Sequence, residues 1–308
     1  MAIRESVVKA CRVAALGAAV SCGAAAATIV VTSPADFGAG SLRQAVADAG
    51  PGDVIEFAAG IARIELTGGE ILIDKSLEIR GPSADSPEAQ LVLDASGLSR
   101  VFRVAAAAGE PMPTVVLNDL AMTGGLAQGG NGGAILNEGN LTLLRCSVYG
   151  NAARPGAGGG GNGGGVANAG TLRVEASTLY GNQAFAGGEG TGNGGGLYNG
   201  WGRKDAVVPE ALLFSSTVSG NQAGVPAGRG AVGKAASHLL ALEVKTGMGG
   251  GIFNDTLPAG EQWGVDAFPG WVTVEHSTVT ENAAWPGGGV ANYRYSETGE
   301  NVIGEAAG

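Results

Sequence analysis

GGAILNEG at 132–139, GGGVANAG at 163–170 and GGGLYNG at 194–200 are one phrase in three copies. A second phrase runs between them, LTLLRCSVYGN at 141–151 and LRVEASTLYGN at 172–182. Ile135, Val166 and Leu197 stand 31 residues apart at each step. A fixed period of this size marks a stacked, quasi-one-dimensional fold. Within each copy the apolar residues alternate, as at Leu141 and Leu143 or Leu172 and Val174, which is the pattern of a strand. Three short strands fit the first copy, around 134–137, 141–145 and 147–150, punctuated by Gly and Asn. No copy offers a two-residue hairpin or a crossover helix. The strands are therefore expected to pair with their equivalents in the next copy, as parallel sheets wound into a coil.

The same pattern aligns asparagines into columns. Asn137, Asn168, Asn199, Asn254 and Asn292 share one, and Asn151, Asn182, Asn221 and Asn282 the other. Identical side chains about 4.8 Å apart can pass amide hydrogen bonds from coil to coil. Asn also tolerates the left-handed backbone of a tight bend, so a role as turn residue alone stands beside the ladder. Cys146 aligns with Ser177, a small stacked position, and reads as a structural thiol. Asp119 falls beside Arg145 of the next coil and is expected to form an exposed ion pair worth under about 1 kcal/mol.

Composition agrees with a coil. Gly numbers 57 of 308, far above the usual share of about 7%, and much of it lies in the repeats. The net charge of −10 argues against a nucleic-acid partner. Residues 1–27 read as a secretory signal peptide: Arg4, Lys9 and Arg12, an Ala-rich apolar run, then Ala25-Ala26-Ala27. Lipidation at Cys22 is a rival processing route. No later apolar run is long enough to span a bilayer as a helix. Residues 28–308 then form one domain. Its cap, 28–57, carries a short helix opened by Ser41 with Leu42, Ala45 and Val46 on one face. Residues 58–125 form irregular coils, with strands expected at 63–67, 70–79, 90–94, 100–105 and 114–123. The Gly/Asn repeats occupy 126–308, where the C-terminus reads as incomplete, with no closing cap.

The stretch VTSPADFGAGSLRQAVADAGPGDVIEF at 31–57 resembles the opening of bacterial secreted right-handed parallel β-helix proteins of the pectin-lyase-like kind, with Ser41-Leu42-Arg43-Gln44-Ala45 as its SLRxA motif. The repeats resemble those of the polymorphic outer membrane proteins. Gly132-Gly133-Ala134-Ile135 matches their GGA[ILV] phrase. Val148-x-x-Asn151, Leu179-x-x-Asn182, Val218-x-x-Asn221 and Val279-x-x-Asn282 stand where that family has FxxN. The resemblance implies a right-handed β-helix, secreted or displayed at the cell surface or outer membrane, with an adhesin-like role.

The repeat continues after residue 200 with longer loops. Those at 200–210 and 255–270 leave one corner, and 222–248 leaves another, with a candidate helix at Ala235–Val244. Trp201, Trp263 and Trp271 flank the first corner, with Trp285 further on. They are the candidate ligand-binding residues: rings on one edge of a rigid coil form a platform for an extracellular glycan or a host or cell-surface protein. The enzymatic alternative, a polysaccharide lyase or glycoside hydrolase, needs clustered carboxylates or a Ca²⁺ site with a basic residue. Glu175 and Glu275 share a column about 9.6 Å apart with Phe214 between, and neither His nor Arg is expected to support them. No catalytic residue is assigned. Gly228–Gly233 has GxGxxG spacing, but Ala235 stands where a P-loop needs Ser or Thr. Gly187-Gly188-Glu189-Gly190-Thr191 meets Gly192 where a calcium nonapeptide needs Asp. His238 and His276 are isolated. Neither cofactor nor metal is expected.

Overall fold

The computed structural model describes residues 26–82, 90–157, 159–187, 192–200, 208–226, 250–256, 271–284, 290–295 and 301–305. It is a right-handed parallel β-helix, with a single short helix among the described residues. Equivalent strands pair as the period requires: Ile135 lies opposite Val166, Val166 opposite Leu197, Leu197 opposite Ile252, and Ile252 opposite Val290.

Each regular coil visits four sheets in turn. Sheet 1 contains Ile135–Asn137 and Val166–Asn168, sheet 2 Asn140–Leu144 and Thr171–Glu175, and sheet 3 Ser147–Tyr149 and Thr178–Tyr180. The fourth, Leu126–Gln128, Ala152–Gly156, Gln183–Ala186 and Gln222–Pro226, goes beyond the three strands expected per copy. Its strands are short and built of Ala, Gly, Gln and Pro, so β propensity does not betray them. Its inward Ala153 and Ala184 are fully buried. The residues before them, Ala152 and Gln183, run against Gly133 and Gly164, and this close backbone approach makes the strand possible. Ala152–Gly156 also turns back on Gly159–Gly160 as a small antiparallel hairpin, a connection not expected from the sequence.

Sheets 1, 2 and 3 enclose one continuous core of Val, Leu and Ile columns, such as Leu117, Leu143, Val174 and Leu213, all fully buried. Two expected strands of the irregular region are each two strands in different sheets. Residues 70–79 divide into Ile71–Ile73 and Leu77–Arg80, and 114–123 into Thr114–Asn118 and Leu120–Thr123. The second break falls at Asp119, whose φ is 56°. One left-handed residue turns the chain from sheet 2 into sheet 3. Arg145, Ala176, Ser215 and His276 do the same in later coils. The turn from sheet 3 to sheet 4 is also left-handed, at Gly124, Gly150, Gly181 and Gly220, then at Glu281 with φ 54°. A side chain there costs about 1–2 kcal/mol, partly offset by glycine's greater freedom when unfolded. Glu281→Gly is therefore expected to stabilise the protein by about 0.5–1 kcal/mol, read as a raised Tm.

The cap is as expected. The helix Leu42–Asp48 starts at Ser41, whose Oγ accepts from the Gln44 N–H at 3.2 Å, and it buries Leu42, Ala45 and Val46. The SLRxA arginine is a clasp. Arg43 donates to Asp36 at 2.9 Å and to the carbonyls of Gly69 and Glu70 at 2.7 and 3.0 Å. Buried Asp36 also accepts from the Thr67 and Gly68 N–H groups, which ties the cap loop to the first coil. At the other end, Asn301–Glu305 pairs antiparallel with Val290–Tyr295 of sheet 1.

Candidate functional site

The asparagine columns are ladders. Asn137 Nδ2 donates to Asn168 Oδ1 at 2.7 Å, Asn168 Nδ2 to Asn199 Oδ1 at 2.7 Å, and Asn199 Nδ2 to Asn254 Oδ1 at 2.8 Å. Asn292 continues the column by backbone register with Asn254. In the other column Asn151, Asn182 and Asn221 donate in turn to Asn182, Asn221 and Asn282 at 2.9–3.0 Å. No Asn in either column is among the described residues with positive φ. Gly150, Gly181 and Gly220 take that strain before Asn151, Asn182 and Asn221, and Glu281 takes it before Asn282, so these residues are not merely turn formers. A third column, Asn131, Asn162 and Asn193, escaped the sequence reading. There the Asn162 and Asn193 N–H groups donate to the side-chain oxygen one coil earlier, at 3.1 and 2.8 Å. The signal was available, since each of these residues immediately precedes the Gly-Gly phrase.

Cys146 heads a ladder of hydroxyls. Its N–H donates to Ser177 Oγ, the Ser177 N–H to Ser216 Oγ, and the Ser216 N–H to Ser277 Oγ, at 2.9, 3.2 and 3.0 Å. The Cys146 thiol donates to the Leu117 and Leu144 carbonyls. Burial pushes its pKa up to about 12. A raised thiol pKa means the native state holds its proton where the unfolded chain has lost it. The associated stability is complete below pH 9 and is lost as pH rises towards 12, at about 1.4 kcal/mol per unit. Cys146→Ser continues the column and is expected to abolish that alkaline slope in urea melts without unfolding the protein.

The Asp119–Arg145 pair corrects its expectation. Asp119 is buried, with its side chain 5% exposed, and Arg145 grips it with two parallel bonds of 2.8 Å while also donating to Asn118 Oδ1 at 2.7 Å. The hydrogen bonds that Arg145 donates to Asp119 raise its pKa, with the carboxylate's charge adding to them and burial opposing. Two left-handed corner residues project towards each other, a geometry that a column count does not reveal.

The tryptophan platform is not assembled by the described residues. Trp201, Trp263 and Trp285 lie outside them, as do the GxGxxG stretch and Ala235–Val244. Trp271 opens the last strand of sheet 2, with its backbone opposite Glu210. The aromatic pairs that are described lie elsewhere. Tyr149 and Tyr180 stack on sheet 3 with centroids 4.9 Å apart and planes at 7°. Tyr198 and Phe253, outward residues of sheet 1, stack at 5.7 Å and are buried.

Glu175, Phe214 and Glu275 do share a column of sheet 2. The expectation of no supporting basic group is corrected: Arg173 donates to Glu175 at 2.8 Å, and His276 sets its edge against Phe214 at 5.5 Å. This pairing sets Glu175 against its own strand's arginine, on the opposite side of a phenyl ring from Glu275. At about 9.6 Å the two carboxylates stand near the separation of an inverting pair, but Phe214 lies where such a pair leaves room for its water. Among the described residues no three of His, Cys, Asp and Glu cluster as a metal site, and no helix is long and apolar enough to cross a membrane. No protein-family profile, curated protein or solved structure matches the chain.

Proposed function

We propose that this protein is a secreted or cell-surface β-helix that works as a non-catalytic, adhesin-like presenting module for an extracellular glycan or a cell-surface protein. The observation carrying this reading is the axial register. Buried Asn ladders join consecutive coils, so outward side chains are held in rows along one axis while loop length varies freely between them. The cap, the leader-like N-terminus, the acidic charge and the resemblance to polymorphic outer membrane repeats support the same reading. Purified protein is expected to bind whole cells or extracted surface glycan and to release neither reducing ends nor unsaturated products from it. Product release from an acidic glycan would replace this reading with that of a polysaccharide lyase or hydrolase.

A further inference from the structure

Sheet 3 presents one outward row pair on each of three consecutive coils: Thr178 and Tyr180, Thr217 and Ser219, Thr278 and Thr280. All six carry a hydroxyl. All are half-buried or exposed, and they flank the inward residues Leu179, Val218 and Val279. Above them Tyr149 stacks on Tyr180.

Strand propensity alone does not explain this composition. The outward positions of sheet 2 on the same coils include Arg173, Glu175, Glu210, Leu212, Phe214 and Glu275. These strands face the same demand for β-forming residues, yet they mix charge and apolar groups. Nor does internal bonding explain it. Ser177, Ser216 and Ser277, each one residue before a sheet 3 strand, spend their hydroxyls on the backbone carbonyls of Glu175, Phe214 and Glu275 at 2.7–2.9 Å. The hydroxyls of Thr178, Thr217, Ser219, Thr278 and Thr280 make no hydrogen bond to any described residue. The sequence steps between these coils differ, 39 residues and then 61, while the hydroxyl rows persist.

We infer that the outer face of sheet 3 binds a neutral polysaccharide chain, a deduction that rests on the presenting-module reading. A row of donor–acceptor hydroxyls about 4.8 Å apart along the axis matches a ligand that is itself a chain of hydroxyls. The face carries no charge on these three coils, in a chain of net charge −10, so an acidic polymer gains nothing there and is repelled by the rest of the surface. The stacked tyrosines at one end of the rows offer an apolar wall with a polar tip, on which a sugar face can rest. Tyr180 also interrupts the row that Ser219 and Thr280 continue, so the hydroxyls do not form the regular lattice that ice would require, which favours a glycan over ice.

The test is affinity electrophoresis of the full secreted chain through gels containing soluble glucan, mannan or galactan, with polygalacturonate as the acidic control. Retardation by at least one neutral polymer is expected, unchanged between low and high salt. The triple variant Thr178→Val, Thr217→Val, Thr278→Val keeps β-branched side chains and is expected to melt normally while losing about tenfold or more in affinity. Thr171→Val, outward on sheet 2, is expected to bind normally. Absence of retardation by every neutral polymer, retardation by polygalacturonate alone, or slowed ice growth abolished by the triple variant would each overturn the inference. Undiminished binding by the triple variant would overturn it too, and would leave the presenting-module reading standing on another face. Polymer cleavage would instead overturn that parent reading.

Discussion

Gly164→Ala is expected to cost about 3 kcal/mol, although it adds a single methyl group to a protein rich in small residues. A Cβ at residue 164 would lie 2.4–2.5 Å from three backbone atoms of Gln183. Gln183 cannot retreat, because its N–H donates to the Asn151 carbonyl at 2.8 Å inside the sheet 4 ladder. Gly133, Gly195 and Gly250 meet the backbones of Ala152, Gln222 and Ala283 in the same way. The strands Ala152–Gly156, Gln183–Ala186 and Gln222–Pro226 of the fourth sheet therefore rest on a column with no side chains. Urea melts decide the point against Gly38→Ala, where φ is +95° but nothing lies within 4 Å of the added carbon. That control pays only the backbone cost, about 1–2 kcal/mol. Equal losses at the two sites would mean that contact with sheet 4 does not dictate the glycine column.

Asn168→Ala should be at least as damaging, at about 4 kcal/mol. Fully buried Asn168 accepts from Asn137 and donates to Asn199, and its Nδ2 also reaches the carbonyls of Gly170 and Glu210 at 2.9 Å. Removing the amide strands polar groups on three coils, where water has no access. A residue that served only a turn would lose about 1 kcal/mol or less. Asn168→Asp sharpens the comparison. The new carboxylate must face Asn199 Oδ1 across 2.7 Å without a proton to donate, so its pKa rises in the folded state. Stability then returns as pH falls below the folded pKa and is complete only below about 3.9, the unfolded value. Relative to wild type, Asn168→Asp is expected to be more stable at pH 4 than at pH 7, whereas Asn168→Ala shows no such trend. Asn282, half-buried at the end of its column, should cost less than Asn182 when truncated.

The repeat was legible because stacking copies like onto like. A 31-residue step repeated across Ile135, Val166 and Leu197 leaves few pairings other than coil on coil, and the Asn columns and the Ser41 cap follow from the same alignment. Sheet 4 was not legible, because Ala153, Ala184 and Ala223 say nothing about strand formation until Gly133, Gly164 and Gly195 are seen to admit the backbones of Ala152, Gln183 and Gln222. The Cys146 ladder was half legible: its alignment with Ser177 was visible, but the backbone carbonyls that hold its hydroxyls were not.

By itself, the sequence determined the winding, the identity of the inward columns and the period that stacks them, because these depend only on which residues recur and at what interval. The tertiary structure alone decided what faces outward together. The angle at Asp119, Arg145 and Ala176 turns sheet 2 into sheet 3 through one left-handed residue. That turn brings Arg145 onto buried Asp119 and sets the hydroxyls of Thr178, Thr217 and Thr278 on a face of their own. Bend angles arise from backbone sterics summed over neighbouring coils, and no residue interval records them.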